Sequence, residues 1–170
     1  MGPRVLALVI GINEYSASDE YPNLKGAVRD AEAFETFLKT RLNVPDENII
    51  NLRDERASRA AILEALSSLR DDPRYKKDEA AIIIFYAGHG AQVDKPEEWV
   101  DWVTSTGKIE MLCPSDIGKI TKNVVNGEEV EEITPGIPDR TISTILNHIS
   151  DIKGNNIVSA LFFFKKKAFI

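Results

Sequence analysis

Few side chains in this 170-residue chain could carry out acid–base or nucleophilic chemistry near neutral pH: two histidines, His89 and His148, and one cysteine, Cys113. His89 stands between glycines in Ala87-Gly88-His89-Gly90, directly after the apolar run Ala80–Tyr86. An imidazole titrates near neutrality, so at the rim of a sheet it can serve as acid, base or ligand. The flanking glycines predict a tight turn with positive φ that lifts the ring and leaves room for another backbone. The bland reading is a turn histidine of no chemical consequence. His148 lies on the flank of the helical stripe Ile145–Ile149 and reads as a surface residue. A lone cysteine forms neither an intrachain disulfide nor a cysteine-based zinc site, and a free one is commonly buried as a small hydrophobe.

The elements that must position these residues follow from hydrophobic patterning. Val5–Ile12, Ala80–Tyr86 and Ile157–Phe164 are apolar without alternation, as strands buried on both faces of a parallel sheet are. Shorter strands are expected at Asn48–Leu52 and Lys108–Leu112. Helical stripes run through Leu24, Val28, Ala31, Phe34, Leu38 and Leu42, through Ile62–Leu69 after a cap at Ser58, and through Ile142–Ile149 after Pro138-Asp139. Strand and helix in alternation predict an α/β fold, a doubly wound, mainly parallel sheet with helices on both faces and right-handed crossovers. In such a fold functional residues gather beyond the carboxyl ends of the strands. Gln92–Gly107 reads as an acidic loop holding both tryptophans, and Asn126-Gly127 as the turn of an inserted hairpin.

Composition narrows the function classes. The chain is 43% hydrophobic and 28% charged, which is ordinary for one globular domain. Its net charge of -6 argues against a general nucleic-acid or anionic-membrane binder, since both need a basic surplus. No apolar stretch approaches the roughly 20 residues that cross a bilayer, and no leader is convincing. A reducing setting, cytoplasm with the nucleus as alternative, is the expectation.

Three blocks, ALVIGINEY at residues 7–15, LKGAVRDA at 24–31 and FYAGHGA at 85–91, together resemble caspase-type cysteine proteases, specifically metacaspase-like members. Pro114-Ser115-Asp116 and Gly136-Ile137-Pro138-Asp139 extend the resemblance over roughly residues 4–157. The resemblance implies the large-subunit portion of a caspase-like catalytic domain, placed at residues 1–157. It also implies a Cys-His dyad that hydrolyses peptide bonds of protein or peptide substrates, with a role in regulated cell death. His89 would be the catalytic histidine and the Gly90 amide an oxyanion-hole donor. Asp30 would be the acidic floor of a pocket for Arg or Lys; equally, it is a carboxylate in an early helical turn, where negative charge is favourable anyway. No cofactor is required. Calcium is an activator among metacaspases, but Asp94, Glu97, Glu98 and Asp101 match no calcium-loop spacing and read as a solvated acidic loop.

The resemblance breaks at the nucleophile. The family places it after the next buried strand, in a pattern of the type Asp-x-Cys-His-Ser-Gly. Here that strand reads on as Leu161-Phe162-Phe163-Phe164-Lys165, and without gaps Phe164 stands where the cysteine belongs. Cys113, 24 residues after His89, is too close in sequence to replace it. Residues 158–170 are therefore expected to be an atypical tail, either the translated product of a missed splice junction or the end of a genuine pseudoprotease that binds without cleaving. Either way this chain is expected to be inactive or nearly so. Ending on a central strand, it is also expected to expose an unpaired sheet edge through which it could self-associate.

Overall fold

Residues 4–125 and 128–165 are described by the structure, a computed structural model. The strands are β1 (Val5–Gly11), β2 (Ile49–Arg53), β3 (Ala81–Asp94), β4 (Lys108–Leu112), β5 (Ile120–Val125), β6 (Glu128–Ile133), β7 (Ile137–Pro138) and β8 (Ile157–Lys165). The helices are α1 (Ala27–Arg41), α2 (Arg59–Asp71) and α3 (Asp139–Lys153). The main sheet runs β2-β1-β3-β4-β7, with β8 also paired to β3. The β1–β2, β1–β3 and β3–β8 pairs are parallel; β4 and β7 join antiparallel.

Every residue of β1 is buried, because helices cover both of its faces. On one face Ala27, Ala31 and Leu38 of α1 pack over Val5, Ala7, Val9, Phe85 and Ala87. On the other, Ile62, Leu66 and Leu69 of α2 and Ile149 of α3 pack over Leu6, Leu8, Ile10, Ile82, Ile84 and Tyr86. Gly11 lets α1 approach: a Cβ there would lie 2.6 Å from the Ala31 Cβ.

Helix starts are tied to the loops at the sheet's carboxyl end. The N-cap of α1 is Gly26, without a side chain to offer. Asn13, just past β1, supplies the cap across the loop, its Oδ1 accepting from the Ala27 and Val28 amides at 3.0 and 3.4 Å. Ser58 caps α2 as expected, accepting from the Ala61 amide. Asp116, in the Pro114-Ser115-Asp116 block, adds a second acceptor for the Arg59 amide at 2.8 Å. At its far end α3 carries a buried lysine. Lys153 Nζ donates to the Asp72 and Tyr75 carbonyls and pins the α2–β3 connection.

Three expectations need correction or bounding. There is no tight turn at Gly88-His89-Gly90: β3 runs on through Asp94, and neither glycine has positive φ. The glycines answer a demand for space instead, as the site shows. For the same reason the acidic loop begins after Asp94 rather than at Gln92. The inserted hairpin exists as the two-stranded β5–β6 sheet, while its Asn126-Gly127 turn lies outside the described residues.

Candidate active site

His89 sits two-thirds of the way along β3, beyond the stretch paired with β1, and is buried at 6% exposure. Its peptide is held on both sides. The His89 N–H donates to Tyr15 Oη at 2.7 Å, while its carbonyl accepts from Tyr86 Oη at 2.7 Å and from the Cys113 N–H at 3.1 Å. The ring is held too. Nε2 lies 2.7 Å from the Pro22 carbonyl oxygen. A carbonyl only accepts, so the neutral imidazole carries its proton on Nε2 and its lone pair on Nδ1. The Tyr15 ring lies 4.8 Å from the imidazole and the Tyr21 ring 6.3 Å, centroid to centroid.

The glycine before this histidine is explained by the two hydroxyls. A Cβ at Gly88 would come within 2.6 Å of Tyr86 Oη and 2.8 Å of Tyr15 Oη. Burial pushes the ionisation of both phenols upward, with the His89 amide bond pulling Tyr15 slightly the other way. Both therefore stay neutral at physiological pH. Tyr21 is shifted in the same direction by burial.

The β1–α1 loop that brings Tyr15 and Pro22 here is itself anchored. The Asp54 carboxylate accepts from the Asn13 and Glu14 amides at 2.7 and 3.1 Å, and the Tyr15 amide donates to Asn23 Oδ1 at 3.1 Å. Asp54 adopts φ +44°, a left-handed conformation uncommon outside glycine. Ser16 N–H reaches the Ser115 carbonyl, so the Pro114 segment closes the loop from below.

The parallel register of β3 and β8 sets the other half of the site. His89 is the pairing partner of Phe164, Gly88 of Phe163 and Gly90 of Lys165. Paired residues of neighbouring strands lie about 5 Å apart. Gly90 is also opposite Leu112 of β4, so its backbone belongs to a strand flanked on both sides. Cys113 meets the site through its backbone N–H, and its side chain is wholly buried in the core cluster that holds Tyr15 and Tyr86.

The other candidates stand apart. Asp30 is exposed in the first turn of α1. His148 is exposed on α3. Among the described residues no three His, Cys, Asp or Glu side chains converge as a metal set, and Asp94 is engaged by Lys108 at 3.0 Å.

Sequence reasoning singled out His89 but gave no role to Tyr15, Tyr86, Pro22, Asn13 or Asp54. One signal was present. A tyrosine closing the run Ala-Ile-Ile-Ile-Phe-Tyr must find a partner for its hydroxyl once buried, and here it finds the histidine's carbonyl.

A doubly wound α/β domain with a histidine fixed at the carboxyl end of its central strand is the class that fold and site define. Residues 4–146 match the family model described as the caspase domain, and the chain belongs to that family of cysteine peptidases. It is 28% identical over 140 residues to Metacaspase-1A of Aspergillus oryzae, covering 77% of this chain and 31% of that protein. The chain thus spans about a third of that relative's length. In fold it is similar to the crystal structure of protein GSU0716 from Geobacter sulfurreducens, with TM-score 0.61 and 17% identity over 96% of this chain and 50% of that one.

Proposed function

We propose that this chain carries the histidine half of a cysteine endopeptidase site and, as written, does not cleave peptides because a phenylalanine stands where the family places its nucleophilic cysteine. One observation carries the reading: Phe164 is the register partner of His89. The single cysteine, Cys113, is wholly buried. A cysteine at position 164 would give up its proton to Nδ1 of His89 while the Pro22 carbonyl holds Nε2–H. The thiolate would attack the scissile carbonyl, with the Gly90 amide as a donor to the developing oxyanion. The imidazolium would then return the proton to the leaving amine, releasing it and leaving a thioester. Asp30 is proposed to favour basic side chains at the cleavage position, and protein or peptide chains are the proposed ligands. The setting is proposed to be cytoplasmic or nuclear, with a connection to regulated cell death by family membership.

A second reading, a non-catalytic interaction module of the same fold, is favoured by the same phenylalanine and by the second edge of β8, which has no partner strand among the described residues. A labelling experiment tests the site. With Phe164→Cys, intact-mass analysis should show one thiol-directed peptide label at position 164, added at least tenfold faster than at Cys113. His89→Ala should remove that advantage. Labelling at position 164 that is indifferent to His89 would overturn the reading.

A further inference from the structure

We infer that Tyr15 is the positioning residue of His89, fixing its peptide through the phenol oxygen and its ring orientation through the aromatic face. The inference rests on reading His89 as the catalytic histidine. The N–H of a strand residue ordinarily goes to a neighbouring strand, yet that of His89 goes to Tyr15 Oη, 74 residues away in sequence. The same tyrosine lays its ring 4.8 Å from the imidazole at an interplanar angle of 51°. The contact is built rather than incidental. Tyr15 is 5% exposed, its own amide is held by Asn23, and the two amides before it are held by the Asp54 carboxylate. Gly88 keeps clear the space into which the hydroxyl reaches.

The consequence is chemical. With its backbone fixed by Tyr15 on one side and Tyr86 on the other, His89 can turn only about its side-chain bonds. The Tyr15 ring then holds the imidazole where Nε2 meets the Pro22 carbonyl, which commits the neutral ring to the Nε2–H tautomer. Loosening that hold lets the ring sample the other tautomer and other rotamers. A group that acts through another in this way changes the state of the histidine before it changes global stability.

The test reads the histidine directly. Replacing the exposed His148 with Gln leaves His89 the single histidine, and nitrogen NMR on 15N-histidine-labelled protein reports its tautomer. The expected spectrum is dominated by the Nε2–H form. In Tyr15→Phe, which removes the hydroxyl alone, the His89 amide should exchange at least tenfold faster, with the amides of Val9 and Leu52 unchanged. In Tyr15→Leu, which removes the ring as well, the Nδ1–H fraction should rise at least threefold. An unchanged tautomer, or equal acceleration throughout the sheet, would make Tyr15 a core residue only and overturn the assignment. If Tyr15→Phe does not fold, Asn23→Ala releases the Tyr15 amide anchor and is read the same way. None of this requires activity, so the result is separate from the labelling of Phe164→Cys, which decides the catalytic reading.

Discussion

At the scale of single residues, the site depends on small distances around one peptide. Gly88→Ala should destabilise the fold by about 1–3 kcal/mol, because the methyl group would press on two buried, hydrogen-bonded hydroxyls. The denaturation midpoint at constant m reads this. The phenols predict a pH dependence. Tyr15 and Tyr86 are pushed above the ordinary value near 10, so the folded state keeps protons that the unfolded chain releases. Stability is thus fully present below about pH 10 and falls as pH rises beyond it; urea midpoints from pH 8 to 11 should show the loss, with a smaller slope in Tyr86→Phe. The histidine was legible in the sequence as a lone titratable group after a buried strand. The reason for its glycines was not, because Gly88 makes room for Tyr15 and Gly90 for Phe163, both far away in sequence, and nothing local announces either. A turn is what Gly-His-Gly suggests when only neighbouring residues are visible.

At the scale of elements, hydrophobic period and capping chemistry were enough. The runs predicted as strands are β1, β3 and β8, and Ser58 caps α2 where the sequence placed it. What the sequence hides is capping from a distance. The N-cap of α1 comes from Asn13, fourteen residues before Ala27. Asn13→Ala should therefore cost about 1 kcal/mol and loosen the Ile12–Gly26 loop, visible as faster exchange of the Ala27 and Val28 amides. The opposite outcome, a protected Ala27 amide in the variant, would mean another acceptor serves the helix. Strand length was also hidden: β3 continues past the buried run because β4 pairs its exposed end, a contact made 20 or so residues later in the chain.

At the scale of the whole molecule, β8 is the exposed side of the design. It pairs β3 along one edge, and no partner for the other is recorded among the described residues. Val158 and Phe162 are 55% and 56% exposed, with Phe162 leaning 5.5 Å from Phe85. Beneath it, Leu161 and Phe163 line a cavity of about 330 Å³ with Leu112, Ile142 and Leu146. A long edge strand with no charge between Ile157 and Phe164 invites pairing. Sedimentation should show concentration-dependent association that Phe162→Lys reduces; a monomer at all concentrations would remove self-association from the account. The same strand holds the answer about activity, since its register sets Phe164 beside His89. The most direct measurement is turnover of Arg-, Lys- and Asp-ended fluorogenic peptides by the unaltered chain, with and without calcium. No release above the blank is expected for any of them. Robust turnover that disappears in His89→Ala would contradict it.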